Sequence, residues 1–124
     1  MNTALTVRHD HAALASILLN LLTNAYKYSP SPKQIALSAE DGEGDVVLTV
    51  RDKGIGIPAS EQQRIFQPFH RLDSRLAGRA GGAGLGLAIA ATLVRRLDGS
   101  ITVNSSEGQG SAFTVRLPAV QDLP

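Results

Sequence analysis

Three groups of residues in this chain of 124 residues have types and spacings that could do chemistry. The first is Asn20, Asn24 and Lys27. On a helix at 100° per residue they fall within about 60° of one another, on one line along the helix flank. Amide oxygens can ligate a hard cation and an ammonium meets negative charge, so this line suits a phosphate chain with its metal. The same residues could also do no more than solvate the flank of a helix.

The second group is Arg51-Asp52-Lys53-Gly54-Ile55-Gly56-Ile57-Pro58. Strand alternation puts Val46, Leu48, Val50 and Asp52 on one face, and the three apolar residues belong in a core. Asp52 then points to the core side at the open end of its strand. A carboxylate there is costly unless it accepts strong hydrogen bonds, which the amino group of a flat base could supply. Gly54 and Gly56 let backbone approach such a ligand without a Cβ in the way. An ordinary strand-ending turn uses the same residue types.

The third group is Gly81-Gly82-Ala83-Gly84-Leu85-Gly86-Leu87, which opens a helix. Glycines there free backbone amides to point at an anion, which the helix dipole also favours. No strand precedes it, as a dinucleotide fingerprint requires, and no Gly-Lys-Ser/Thr follows, as a P-loop requires. A flexible hinge would have the same composition. Arg71, Arg75 and Arg79 upstream would suit a lid over phosphates.

The elements that must position these groups follow from periodicity. Leu14, Ile17, Leu18, Leu21, Leu22 and Ala25 mark an amphipathic helix from Asp10, a plausible N-cap, to Tyr28, stopped by Pro30 and Pro32. Gln34–Ala39 and Asp45–Arg51 alternate as a hairpin. A short helix is expected from Pro58 to Phe66, then an aperiodic mobile loop over Gln67–Ala83. A third helix runs over Leu85–Leu97 with Gly99 as its C-terminal cap. A second hairpin joins Ser100–Ser105 to Ser111–Leu117 through Glu107-Gly108-Gln109-Gly110. Thr3–Val7 could add an edge strand. This order makes an α+β, two-layer sandwich with helices on one face of a mixed, mostly antiparallel sheet.

Size and composition agree with one domain over residues 1–124, its core at about 10–118. With 43% hydrophobic residues and no Cys, the core must form without disulfides or thiolate metal sites. Lys+Arg 12 against Asp+Glu 11 gives no electrostatic reason to expect nucleic acid. No secretory leader is visible, and the apolar runs are too short to span a bilayer, so the expected location is the cytoplasm, whatever anchors a parent protein has.

Taken together the groups resemble the catalytic, ATP-binding domain of bacterial sensor histidine kinases. Asn20-Leu21-Leu22-Thr23-Asn24-Ala25-Tyr26-Lys27-Tyr28 resembles their N box and Asp52-Lys53-Gly54-Ile55-Gly56-Ile57 their G1 box. Ile65-Phe66-Gln67-Pro68-Phe69-His70-Arg71 resembles the F box and Gly82-Ala83-Gly84-Leu85-Gly86-Leu87 the G2 box. The resemblance implies the ATP-binding fold shared with gyrase, heat-shock-90 chaperones and mismatch-repair ATPases, known as the Bergerat fold, with ATP and Mg²⁺ as cofactors. By it Asn24 would bind the metal with Asn20 in support, and Lys27 would contact phosphate. Tyr28 would pack by the adenine, Gly54, Gly56 and Ile57 would belong to the ATP site, and Asp52 would accept from the exocyclic amine with Thr114 beside it through a water. Gly82, Gly84, Leu85, Gly86 and Leu87 would hold phosphates, while Phe66, Phe69 and Arg71 would serve the lid. Ala83 departs from the pattern, since many relatives carry Thr or Ser there.

In the ATPases of that superfamily a Glu four residues before the metal-binding Asn activates water. Here that position is Asn20, so hydrolysis is not the expected activity. None of His9, His11 and His70 stands in an acceptor motif. The resemblance therefore implies a protein-histidine kinase catalytic domain whose partner is a histidine-bearing dimerisation domain of the same kinase, with a response regulator served indirectly. The isolated domain would be monomeric and the parent homodimeric. A protein-serine kinase of the same fold and a nucleotide sensor without catalysis are the alternatives.

Overall fold

A computed structural model of the chain describes residues 6–7, 11–29, 34–62, 64–67 and 86–120. The first periodic segment forms helix α1 (His11–Tyr28). Its buried row is Ala13, Ile17, Leu21 and Ala25, at the i, i+4 spacing that stacks side chains on one face, and Leu14, Leu18 and Leu22 pack beside it. The Asp10 cap lies outside the described residues.

Two antiparallel hairpins follow from the two alternating segments. Strands β2 (Ile35–Asp41) and β3 (Asp45–Asp52) form one, and β4 (Ser100–Ser106) and β5 (Gly110–Val120) the other. β3 and β5 pair with each other and so join the hairpins, while β1 (Thr6–Val7) pairs with the far end of β5. The order is β1-β5-β3-β2 with β4 also on β5, and each of these pairings is antiparallel.

Alternation along β3 and β5 divides the sheet into two faces. Val46, Leu48 and Val50 stand directly opposite Leu117, Val115 and Phe113, and all six are buried against the helices. Fully burying one such side chain is worth about 1.5–3 kcal/mol, so this six-residue plate anchors the fold. Helix α2 (Gly86–Arg96) lies beside α1 and buries Ala88, Ala90, Ala91 and Val94. Small residues on α2 let the two helices approach closely. On the other face Thr49 stands between Ser38 and Thr114 and is itself buried.

Two local expectations are corrected. Residues 58–62 and 64–67 form successive turns rather than a short α-helix. Glu61 N–H donates to Pro58 O at 2.9 Å, Arg64 N–H to Glu61 O at 2.9 Å and Gln67 N–H to Arg64 O at 2.9 Å, all three-residue steps. A helix this short recovers little of its nucleation cost, so tertiary anchors decide its shape. At the end of α2 the left-handed residue is Asp98 (φ 61°), not Gly99. Gly99 N–H donates to Val94 O at 2.9 Å and Asp98 N–H to Arg95 O at 3.0 Å, the paired bonds of a Schellman ending. Residue 99 must still be Gly because a Cβ there would run into the backbone carbonyl of Arg116.

Candidate functional site

Asp52 is the last residue of β3 and is buried on the helix side of the sheet. Its Oδ1 accepts the Gly54 N–H at 2.8 Å, closing a turn that aims the carboxylate across the strand end. Burial pushes the carboxyl above its ordinary pKa, opposed by hydrogen bonds from the backbones of Gly54 and Ser111. A buried acceptor of this kind is suited to a donor on a bound base.

The turn after Asp52 is built on glycine for steric reasons. A Cβ on Gly54 would collide with the carbonyl of Tyr28, and Gly56 has φ 74° with no room beside Ser106 O. Ile55 N–H donates to Tyr28 O at 3.2 Å, which ties the turn to the last residue of α1. Tyr28 is thus brought to the Asp52 turn by its backbone. Ile57 is buried in the core just beyond, and Phe66 packs edge-on against Phe113 with ring centroids 6.2 Å apart.

Asn20 and Asn24 lie half-buried on the α1 flank, one turn apart, and Lys27 is exposed at its end. Asn20 Nδ2 donates to Ser16 O at 2.8 Å, which turns its Oδ1 toward the start of α2. A Cβ on Gly86 would stand 3.2 Å from that oxygen. The polar flank of α1 therefore meets the N-terminus of α2, where backbone amides and the helix dipole favour an anion. Leu87, next along, packs against the core. Two amide oxygens on one helix flank fit a hard cation that keeps waters and phosphate oxygens as its other ligands, as Mg²⁺ does. Among the described residues there is no group of three His, Cys, Asp or Glu that could form a protein cage.

One assignment falls on the wrong face. Thr114 pairs with Thr49 on the outer side of the sheet, whereas the residue directly opposite Asp52 is Ser111. Strand parity decides this: positions 111, 113, 115 and 117 face the helices and 114 cannot. Ser111 is buried and its Oγ lies 2.8 Å from Ser105 Oγ. The signal was present in the turn Glu107-Gly108-Gln109-Gly110, which fixes the register of β5 and places Ser111 first after it. Phe69, Arg71, Gly82, Ala83, Gly84, Leu85 and residues 68–83 of the expected mobile loop lie outside the described residues, as do His9 and His70.

Comparison with known proteins defines the class. The family model described as histidine kinase-, DNA gyrase B- and HSP90-like ATPase matches residues 9–121, and the chain belongs to this family. Among curated relatives, the circadian input-output histidine kinase CikA of Thermosynechococcus vestitus is 45% identical over 113 residues, 91% of this chain and 16% of its own length. The sensor-like histidine kinase SenX3 of Mycolicibacterium smegmatis is 37% identical over 120 residues, 97% of this chain and 31% of its own length. The mycobacterial sensor histidine kinase MprB superposes with TM-score 0.80 at 29% identity, covering 95% of this chain and 80% of that one. Full-length ShkA in complex with AMPPNP gives TM-score 0.82 at 32% identity over 97% of this chain and 24% of that one. The chain corresponds to the catalytic, ATP-binding domain of sensor histidine kinases, and spans less than a third of the length of these curated relatives.

Proposed function

We propose that the chain binds Mg-ATP and donates the γ-phosphate to a histidine on a dimerisation domain of the same kinase, in the cytoplasm, with a response regulator receiving it in turn. The carrying observation is the Asp52–Gly54 turn, a buried carboxylate beside a glycine cradle that is tied through Tyr28 O to α1, the helix that carries Asn20 and Asn24. AMPPNP in ShkA, an ATP analogue, supports the same ligand class here.

The adenine amine would donate to Asp52, with Tyr28 and Ile57 at the edge of the base. Asn24 and Asn20 would hold Mg²⁺ and Lys27 would meet the phosphates. The metal, when bound, supplies neutralisation of the charge that builds on the β- and γ-oxygens. In the transfer a ring nitrogen of the acceptor histidine forms a bond to the γ-phosphorus. The bond from that phosphorus to the bridging oxygen breaks, ADP leaves with the electron pair, and the ring nitrogen ends as a phosphoramidate. This chain's contribution is positioning and charge neutralisation. Asn20, a carboxamide, cannot take a proton from water, so hydrolysis has no base at that position.

The test is radiolabelled ATP with the chain alone and with a histidine-bearing dimerisation domain. The expected result is labelling of the partner alone, with an acid-labile, alkali-stable product. Strong labelling of the lone chain or an alkali-labile product would overturn the proposal, the latter in favour of a serine kinase.

A further inference from the structure

The turn from Lys53 to Ile57 belongs to no strand, yet it carries the glycine cradle of the candidate site. Its position is fixed by bonds to other elements. Ile55 O accepts from Gly108 N–H at 2.7 Å, in the turn between β4 and β5. Ile57 N–H donates to Ser105 Oγ at 2.8 Å. Ser105 Oγ lies 2.9 Å from Gly110 O, to which it donates, and 2.8 Å from Ser111 Oγ. A hydroxyl has one proton and two lone pairs, so donation to Gly110 O leaves the Ser111 hydroxyl to donate to Ser105. Gln62 completes the arrangement: its Nε2 donates to Ile57 O at 2.9 Å and to Ser105 O at 2.9 Å. Both protons of one amide thus span the cradle and the strand behind it.

We propose that Gln62 and Ser105 are positioning residues for the adenine end of the nucleotide, clasping the Lys53–Ile57 turn to the β4–β5 hairpin so that the glycine cradle is held beside Asp52 and Ser111, which the β3–β5 ladder already sets opposite each other. The proposal rests on the nucleotide site argued above. Neither residue is required to touch the ligand. Gln62 stands on the segment leading to Phe66, so the clasp also links the cradle to that turn. Its effect belongs to binding rather than to the transfer step, because it places the base and not the γ-phosphate.

The experiment measures ATP, ADP and adenosine affinity of the 124-residue chain by titration, well below the melting temperature so that only folded protein is read. Gln62→Met keeps side-chain length and removes both donors, and Ser105→Ala removes the hydroxyl. Each is expected to weaken all three ligands by the same factor, roughly five- to tenfold, the scale of one net hydrogen bond. Ser105→Thr restores the hydroxyl and should restore affinity. The double variant should lose less than the product of the single losses, since both changes open one clasp. If Gln62→Met does not fold, Gln62→Asn carries the same test at smaller amplitude. Lower melting temperatures with unchanged affinities would overturn the inference in favour of a purely structural role. A loss confined to ATP would also overturn it, because the effect would then lie at the phosphates. A wild-type chain that binds none of the three ligands overturns the nucleotide site and this inference with it, whereas binding by wild type and equal binding by the variants overturns this inference alone.

Discussion

Asn20 on α1 and Gly86 at the start of α2 are held so close that a Cβ on residue 86 would stand 3.2 Å from the Asn20 amide oxygen. The contact joins the candidate metal flank to the candidate phosphate end, and it gives Gly86 a role that helix propensity opposes. Ala is the better helix former, yet a Cβ 3.2 Å from the amide oxygen would crowd Asn20 in the geometry set by Ser16. Gly86→Ala is therefore expected to leave the fold intact and to weaken Mg-ATP binding. A double-mutant cycle with Asn20→Ala should return a coupling of about 0.5–3 kcal/mol. Calorimetry on the four proteins checks it, and strictly additive losses would mean the contact carries nothing.

Metal dependence should map to α1. Asn24→Ala is expected to remove the gain in ATP affinity that Mg²⁺ gives, and Asn20→Ala to reduce it. Both residues are half-buried on the flank rather than in the Ala13–Ile17–Leu21–Ala25 row, so stability should change by about 1 kcal/mol or less. Titrations with Mg²⁺ and with EDTA decide the point. If Asn24→Ala unfolds the chain, the amide belongs to the core.

How much was legible in the sequence depends on the range of the interaction that decides each feature. α1 and both hairpins follow from periodicity, because the burial of Ile17, Leu21 and Val50 repeats with the local geometry of helix and strand. The residues after Pro58 have helical composition but form turns, since Gln62 is drawn to Ile57 O and to Ser105 O, the latter 43 residues away in sequence. Asp98 rather than Gly99 takes the left-handed position because Gly99 is needed against the Arg116 carbonyl, a contact no local pattern carries. Family likeness alone sets Thr114 beside Asp52, whereas two-residue steps along β5 from Phe113 put it on the outer face. Asp52 was legible as a buried acceptor because both its strand parity and the glycines after it are local.

The cradle glycine Gly56 and Gly44, in the turn between β2 and β3, allow a controlled test of strain. Gly44 and Gly56 have nearly the same backbone, φ 79° and φ 74°, but only Gly56 is crowded. Around Gly44 nothing lies within 4 Å of an added Cβ, whereas at Gly56 the Ser106 carbonyl blocks it. Gly44→Ala should cost about 1 kcal/mol, the penalty for the left-handed conformation. Gly56→Ala should cost about 2 kcal/mol or more, because the loop must also move. Urea midpoints of the two variants give the comparison, and equal costs would mean the turn yields freely.

Asp52 should set stability against binding, with a sign fixed by its raised pKa. Burial raises the carboxyl in the folded state above its unfolded value, so the folded chain holds the proton more tightly. Linkage then makes this group's contribution to stability greatest at acid pH, and lost as pH rises from the unfolded to the folded pKa. Asp52→Asn removes the ionisation while its amide oxygen can still accept from Gly54 N–H. The variant should therefore melt higher than wild type at neutral pH, and the difference should shrink on acidification through the folded pKa. ATP binding should move the other way. An amide nitrogen facing the adenine amine sets donor against donor, for a loss of about 1–3 kcal/mol. Wild-type binding should weaken over the same acid range, as the acceptor takes a proton. Guanine places a carbonyl oxygen where adenine has the amine, so GTP should bind wild type more weakly and gain relative to ATP in the Asn variant. Melting curves and ATP and GTP titrations across pH check all of this. Should Asp52→Asn destabilise the chain at neutral pH and bind ATP as wild type does, Asp52 is a structural turn residue and the base lies elsewhere.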